Sequence, residues 1–491
     1  MEHKGCNILF TAMVVFIGTA VAGCSVGPDF EKPKAPNVSS YDAGGMPEKT
    51  LAAEADGGQE QKFVQGKDIP ADWWKIFRSE DLNKLIEQSL KSNPSLQAAQ
   101  AALESAEENL YAGRGSFLPS VSAGGSAVRQ KTSGSTFGAL NPDGFIFNLF
   151  NASVGVAYNF DLFGGTRRAV EALSANVDYE RFNFEAANLT LTSNVVTAAV
   201  QEASLRAQIS AMKEIIEADR KQLDAMKQQL ALGGISNVPV MTQTAALAQN
   251  EATLPALEKQ LSQVRHQLGA LVGQFPSEDL SAKFDLAQIK LPEELPVSLP
   301  SKLVEQRPDI KAAESLMRAA NAKIGVATAN MLPQITLSAG SGSAAQAFGD
   351  LFTGGAGLWS LGAGITQPIF QGGALMHKRG AAQADYEKVA AMYKGTVIAA
   401  FQNVADVLKA LQSDAETLKA QADSERAARE SLNMAQSQFE AGAISYLSLL
   451  TANKAYQQAR MSLVKAQAAR YADTAALFQA LGGGWWNKNN D

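Results

Sequence analysis

A chain of 491 residues is long enough for two or more ordinary domains, and 46% hydrophobic with 19% charged residues excludes wholesale disorder. The formal net charge is −6 and no run of five Lys/Arg residues occurs, which argues against a nucleic-acid partner.

The first segment reads as a targeting signal. Lys4 supplies a positive start, Ile8 to about Ala20 is apolar, and small residues follow. About a dozen apolar residues fall short of the roughly 20 that a spanning helix needs. The stretch ends in Val21-Ala22-Gly23-Cys24, similar to a bacterial lipobox, where small residues fit a cleavage pocket and the Cys24 thiol takes a diacylglycerol. Ser25 follows, where an Asp would resemble an inner-membrane retention signal. An ordinary secretory signal is the plainer alternative. With Cys24 acylated and Cys6 in the leader, the mature chain has neither a free thiol nor a disulfide. Elsewhere no run of 18 apolar residues occurs, so any membrane span must be a barrel.

An internal repeat organises the rest. Pro94-Ser95-Leu96-Gln97-Ala98-Ala99 returns 214 residues later as Pro308-Asp309-Ile310-Lys311-Ala312-Ala313. Phe117-Leu118-Pro119-Ser120-Val121 returns at the same offset as Met331-Leu332-Pro333-Gln334-Ile335. Phe163-Gly164-Gly165 then matches Phe370-Gln371-Gly372-Gly373, and Leu232-Gly233-Gly234-Ile235-Ser236 matches Ala441-Gly442-Ala443-Ile444-Ser445, at offsets of 208 and 209. The shortened offset gives the first copy the longer loop between its strands.

Each copy predicts helix, strand, loop, strand, long helix, turn, long helix. The Ala-rich stretches Leu96 to Tyr111 and Ile310 to Thr328 favour helix before the prolines at 119 and 333. Beyond them the period becomes two: Val154, Val156, Tyr158, Phe160 and Leu162 alternate with small or polar residues, as do Ile335, Leu337 and Ala339, and Trp359, Leu361, Ala363 and Ile365. Such alternation suits a strand between lipid and a wet lumen, and also a half-buried strand of a soluble sheet. Aromatics near the strand ends, Phe117, Phe160, Phe163, Trp359 and Phe370, suit an interfacial girdle or a core.

From about Arg167 to Leu232, and again from Thr396 to Ala441, there is neither Pro nor Gly. Some 65 helical residues would reach roughly 100 Å, longer than a compact domain. Heptad spacing runs through Ile209, Met212, Ile216, Asp219, Leu223, Met226 and Leu230, through Leu254 to Leu271, and through Met461 to Phe478. One Asp interrupts the first of these seams. Four strands cannot close a barrel, since membrane barrels begin at about eight, so the strands are expected to pool among subunits.

At this point the residues resemble the TolC/OprM-type outer-membrane efflux proteins, lipoprotein branch, which serve RND-type pumps. The carriers are Cys24-Ser25-Val26-Gly27-Pro28-Asp29-Phe30 with Pro33, Asp72-Trp73-Trp74-Lys75-Ile76-Phe77 with Asp81-Leu82, Arg307-Pro308-Asp309-Ile310 with Ala312-Ala313-Glu314, and Pro368-Ile369-Phe370 with Gly372-Gly373. The resemblance implies an α+β membrane protein with two tandem repeats per chain. Its homotrimer forms a 12-stranded β-barrel continuous with a long α-helical coiled-coil barrel, held in the outer membrane with the helices in the periplasm. Partners would be a periplasmic adaptor, an inner-membrane pump and outer-membrane lipid. The expected boundaries are 1–23 signal peptide, 24–75 acylated extended arm, 76–276 first repeat, 277–300 equatorial connector, 301–484 second repeat and 485–491 tail.

Two turns carry most of the functional expectation. At Gly233, Gly234, Ile235 and Ser236, and at Gly442, Ala443, Ile444 and Ser445, glycine suits a helix stop and serine the next N-cap. The resemblance adds that these tips meet the adaptor, with Ile235 and Ile444 expected to be exposed. Some relatives carry pore-ringing carboxylates just after the second tip. Here Ser448 and Thr451 stand there, and the first tip offers Asn237, Pro239 and Thr242. A gate of Leu447, Ser448, Leu450 and Thr451 would close through hydroxyls and apolar packing.

Catalysis finds no motif. His3, His266 and His377 are scattered, no Walker-type glycine loop occurs, and Glu107-Glu108 and Glu293-Glu294 read as solvated faces. No enzyme activity, metal or cofactor is expected beyond the lipid on Cys24. The expected function is passive conduction of drugs or other small molecules from pump to exterior. A type I protein-secretion channel, or a non-conducting trimeric lipoprotein scaffold or adhesin, are the alternatives.

Overall fold

The computed structural model describes residues 25–42, 44–45, 48–133, 144–278 and 280–488, so Cys24, the leader and the last tail residues lie outside the described part. In chain order the elements are β1 (Lys62–Gln65), α1 (Glu80–Ser92), α2 (Pro94–Arg114), β2 (Ser120–Thr132), β3 (Phe145–Phe160), α3 (Gly165–Ala231) and α4 (Asn237–Leu271). Then follow β4 (Glu294–Val297), α5 (Pro300–Gln306), α6 (Pro308–Ala329), β5 (Gln334–Ala345), β6 (Gly357–Thr366), α7 (Ala374–Glu440) and α8 (Tyr446–Ala480). The two copies thus repeat one plan, each with two antiparallel strands followed by a long helix, a tight turn and a shorter helix.

Local rules are overridden in three places. Strand β3 starts at Phe145, well before the alternation that begins at Ser153. Helix α7 starts at Ala374 and runs through Gly380 and Gly395, although the glycine-free run begins only at Thr396. A Cβ at either glycine would meet nothing, so each costs only its propensity, about 1 kcal/mol, within a strong helical context. Helix α4 likewise continues through Pro255. No described helix is long and apolar enough to cross a membrane.

Two compact units emerge. The first gathers the N-terminal residues to Lys32, Glu104–Tyr179 and Ala313–Met392. Its sheet has the order β2-β3-β5-β6, antiparallel throughout. The Val26-Gly27-Pro28-Asp29 motif is clamped onto helices of this unit. The Val26 N–H donates to the Phe163 carbonyl at 3.0 Å, Asn321 donates to the Pro28 carbonyl at 2.8 Å, and Arg168 pairs with Asp29 at 2.6 Å. Gly27, at φ 96°, lies so close to Gly325 that a Cβ would sit 2.5 Å from the Gly325 Cα. Only glycine meets both demands.

The second unit gathers Pro33–Leu103, Glu180–Ala312 and Tyr393–Asp491. Its core is plugged by the Trp73–Phe77 turn: Trp73 stacks on Phe478 at 5.3 Å and meets Phe77 edge-on at 6.5 Å, all three buried. Burying such aromatics contributes a few kcal/mol each. Strand β1 pairs parallel with β4, joining the arm to the connector. Arg307 grips Asp309 at 2.7 Å and the Ala480 carbonyl at 2.9 Å, which ties the Arg-Pro-Asp motif to the end of α8. Arg265 holds the connector through the carbonyls of Leu280 and Ala282 while pairing with buried Glu202 at 2.9 Å. The seam residues Ile209, Met212, Ile216, Leu223 and Met226 are buried, and so is Asp219.

Arg470 is fully buried and donates to Thr50, Gln61 and the backbone carbonyls of Leu51 and Gln59. One turn on, burial and the hydrogen-bonded carboxyl of Asp414 push Asp473 up to about 7. Between the ordinary carboxylate range and 7 the folded chain therefore keeps a proton that the unfolded chain has released, so stability falls as pH rises through that window. Asp473→Asn removes this loss. Its Tm is expected to exceed that of the parent by on the order of 2 °C or more at pH 8, with the gap closing near pH 4, by scanning calorimetry at both pH values. A gap that is the same at both pH values would show that the shared proton does not set it.

Candidate functional site: sheet edges and helical tips

Period-two patterning gives the four-stranded sheet two unlike faces. Directly paired residues share a face, so the register sorts them. Val121 pairs with Val156 and Ala123 with Val154; Tyr158 pairs with Leu337, which pairs with Ala363, and Ala339 pairs with Leu361. This face is apolar. The other carries Ser122 opposite Gly155, Ser153 opposite Gly342, and Ser338 opposite Gly362, all small or polar. Strands β2 and β6 each have one paired neighbour, so both sheet edges are open within the chain. On β6, Trp359, Leu361 and Ile365 are about three-quarters exposed. Of the expected girdle aromatics, Phe370 is exposed as well, and Phe117 less so.

The two tips share one helix-stop geometry. Gly233 at φ 75° and Gly442 at φ 70° take the left-handed conformation. After them, the Gly234 N–H donates to the Gln229 carbonyl and the Ala443 N–H to the Gln438 carbonyl, both at 2.8 Å. These bonds satisfy carbonyls that a helix end leaves bare. The following serines differ. Ser445 accepts from the Ser448 N–H at 3.3 Å and caps α8, whereas the Ser236 side chain makes no capping bond to α4. Serine identity alone could not distinguish them.

Exposure at the tips departs from expectation. Ile235 is half-buried against Leu223, Met226 and Val240, and Ile444 is half-buried too. Ile235 folds back because the cluster beneath its turn offers apolar surface closer than solvent does. The exposed apolar side chains are instead Leu232 at 87%, Val238 at 73% and Leu447 at 68%. Among the gate candidates, Leu450 is buried, so it is unavailable to a neighbour. Thr451 spends its hydroxyl proton on the Leu447 carbonyl at 2.8 Å, and Thr242 does likewise on Val238 at 2.9 Å. Ser448 is exposed with its hydroxyl 3.1 Å from that of Ser445, Asn237 is exposed, and Pro239 is half-buried.

A buried polar clasp lies behind the tips. Asp219 on α3 accepts from Asn250 on α4 at 2.6 Å, from Gln243 on α4 at 3.2 Å and from Asn453 on α8 at 3.1 Å. Tyr446, at the start of α8, donates to Gln243. Burial and the charge of Asp219 push the Tyr446 hydroxyl up to about 12, so it stays a donor. A carboxylate with three amide donors is well satisfied without a cation. The clasp therefore links a helix of the second copy to both long helices of the first. Its sequence signal was the Asp that interrupts the seam; its partners lie too far along the chain to be read locally. Among the described residues no group of three or more His, Cys, Asp or Glu is placed to hold a metal ion.

These two features, an amphipathic open-edged sheet and long helices ending in glycine-stopped tips, meet their match in known proteins. The sequence model of the outer membrane efflux protein family matches residues 85–274 and 299–483, one segment per copy. The antibiotic efflux pump outer membrane protein ArpC of Pseudomonas putida is 29% identical over 489 residues, 98% of this chain and 96% of its own. The pyoverdine export outer membrane protein OpmQ of Pseudomonas aeruginosa is 30% identical over 421 residues, covering 84% of this chain and 87% of its own. Among solved structures, the outer-membrane channel OprN superimposes with a TM-score of 0.84 at 26% identity, over 94% of this chain and all of its own. The fold is that of the TolC/OprM channels, a tandem repeat with a β-barrel and a helical barrel. The chain belongs to the outer membrane efflux protein family, whose members are channels rather than enzymes, and it is an outer-membrane efflux channel.

Proposed function

We propose that three copies of this chain form the passive exit duct of a tripartite efflux system, carrying small molecules from an inner-membrane pump and a periplasmic adaptor to the exterior. The observation that carries this reading is the pair of open edges on β2 and β6 beside an apolar face. In hydrocarbon each unpaired backbone group costs several kcal/mol, so the edges must find each other on neighbouring copies. Two copies would give eight strands, a bore that side chains normally fill. Along the middle of the strands, around Ser122, Ser153 and Ser338, the inner face is largely Ser and Gly, too small to fill it. Three copies give twelve strands and leave a lumen.

The remaining parts follow from that arrangement. Cys24 carries the lipid, and the clamp on Val26 to Asp29 holds the chain just beyond it on the unit that contains the membrane strands. The segments 24–75, 76–276, 277–300, 301–484 and 485–491 serve as arm, first repeat, connector, second repeat and tail. Residues Gly233 to Ser236 and Gly442 to Ser445 present the exposed Leu232, Val238 and Leu447 to the adaptor. The pump is of the RND type and supplies all the energy. ArpC and OpmQ are named for unlike cargoes, antibiotics and pyoverdine, which fits a duct whose small polar wall leaves selectivity to the pump.

Purified protein in a planar bilayer tests the duct: discrete conductance steps are expected, and a preparation that is trimeric but silent would point to a scaffold instead. Because no carboxylate stands at Ser448 or Thr451, millimolar divalent cations are expected to block the current only weakly; strong block would contradict the gate residues named. Leu232→Asp with Val238→Asp and Leu447→Asp should abolish adaptor cross-linking and drug resistance, while Ile235→Asp should act chiefly by loosening the tip. Asp219→Ala removes the acceptor that three amides share. Because the clasp fastens α8 to α3 and α4 behind the tips and so would hold them together, the variant is expected to raise basal conductance and sensitivity to large antibiotics; unchanged values would show that the clasp does not keep the tips closed.

A further inference from the structure

The four membrane strands contain no Asp and no Glu, and their only charged residues are Arg129 and Lys131. Both lie near the end of β2, two residues apart and therefore on one face. That face is the apolar one, continuing the row Val121, Ala123, Gly125 and Ala127. Arg129 reaches only Asn148 at 3.4 Å, and both side chains are exposed. Neither faces a carboxylate among the described residues.

Their height follows from the register. Arg129 pairs with Asn148, twelve residues along β3 from Phe160, whose partner Ile335 marks the other end of the apolar face. Twelve residues span about 40 Å along a strand and about 30 Å along the axis of a barrel at the usual tilt. The apolar band of such a barrel is about 25 Å tall. Arg129 thus stands just past the hydrocarbon, and Lys131 a little farther. A lipid-facing cation costs about 2–4 kcal/mol at the midplane and close to nothing at the interface, which agrees with this placement.

The opposite face changes character at the same level. Below it carries Ser122, Gly124 and Ser126, and beyond them come Val128 with Leu149, then Phe147 and Phe145. Apolar side chains turn inward where the outward face meets water and headgroups. The outer limit of the bilayer is therefore written on both faces.

We propose that Arg129 and Lys131 bind the phosphate groups of the outer-leaflet glycolipid, giving each subunit one headgroup-binding corner on its β2 edge. Two cations about 7 Å apart, with no competing carboxylate, match a phosphorylated headgroup, and Arg can hold its oxygens in a fork. The inference rests on the barrel orientation proposed above.

The test uses the full-length protein purified in detergent, with bisphosphorylated lipid A as probe and native mass spectrometry as readout. The parent is expected to retain lipid A, and R129Q/K131Q to retain several-fold less, while R129K/K131R, which keeps the charges, stays near the parent. Phosphatase-treated lipid A should be held by the parent no better than by the double variant. Equal retention by R129Q/K131Q, indifference to dephosphorylation, or displacement by millimolar inorganic phosphate would each overturn the lipid contact. Lys131→Cys, labelled on intact cells with a membrane-impermeant maleimide, separates the two readings. Labelling from outside upholds the orientation whatever the lipid result; labelling only after the outer membrane is breached overturns the orientation and the proposal together.

Discussion

A strand in hydrocarbon must give every backbone N–H and C=O a partner, and the sheet of this chain leaves two edges without one. Much of the molecule can be traced to that demand. A single chain offers four strands, too few for closure, so the barrel must be a joint product of several copies. In the proposed trimer each chain contributes a third of the wall rather than a finished pore. The doubling of one plan within the chain halves the number of copies required. It also sets each strand pair beside a long helix that leaves directly from the sheet, after Phe160 in the first copy and after Thr366 in the second.

Family motifs acquire individual reasons in this setting. The Trp73-Trp74 pair is a core plug, with Trp73 stacked on Phe478. The Arg-Pro-Asp motif is a tie between the start of α6 and the end of α8. The segment after the leader is a clip in which Gly27 touches Gly325 and Asp29 answers Arg168. These groups hold the parts in register, and the channel wall itself is chemically plain.

What the sequence revealed follows from how local each signal is. Alternation in β3, β5 and β6 and the glycine stops at 233 and 442 are short-range and could be read directly. The clasp could be half read, because Asp219 visibly breaks its seam, but Gln243, Asn250 and Asn453 belong to other helices. Exposure of Ile235 is not legible locally, since whether a turn residue faces solvent depends on the cluster it can reach, here Leu223, Met226 and Val240. Gly380 and Gly395 marked no helix end because neighbours on both sides outweigh their propensity. The β1–β4 pairing was invisible: four residues carry no periodic signal, and their partners lie more than two hundred residues away.

That last pairing bears on the order of assembly. Lys62 pairs with Glu294, and Gln61 lies within hydrogen-bond reach of Thr474, so the first-made arm is fastened by segments made midway and last. Arg470 needs Thr50 and Gln61, and they in turn wait for Arg470. Closing loops this long carries an entropic cost that grows only slowly with length, but it must be met before the contacts return anything. The arm thus acts as a completeness seal. A chain that stops short of its final helix leaves Thr50 and Gln61 without their cation and β1 without its full surroundings, and only a finished chain can lock.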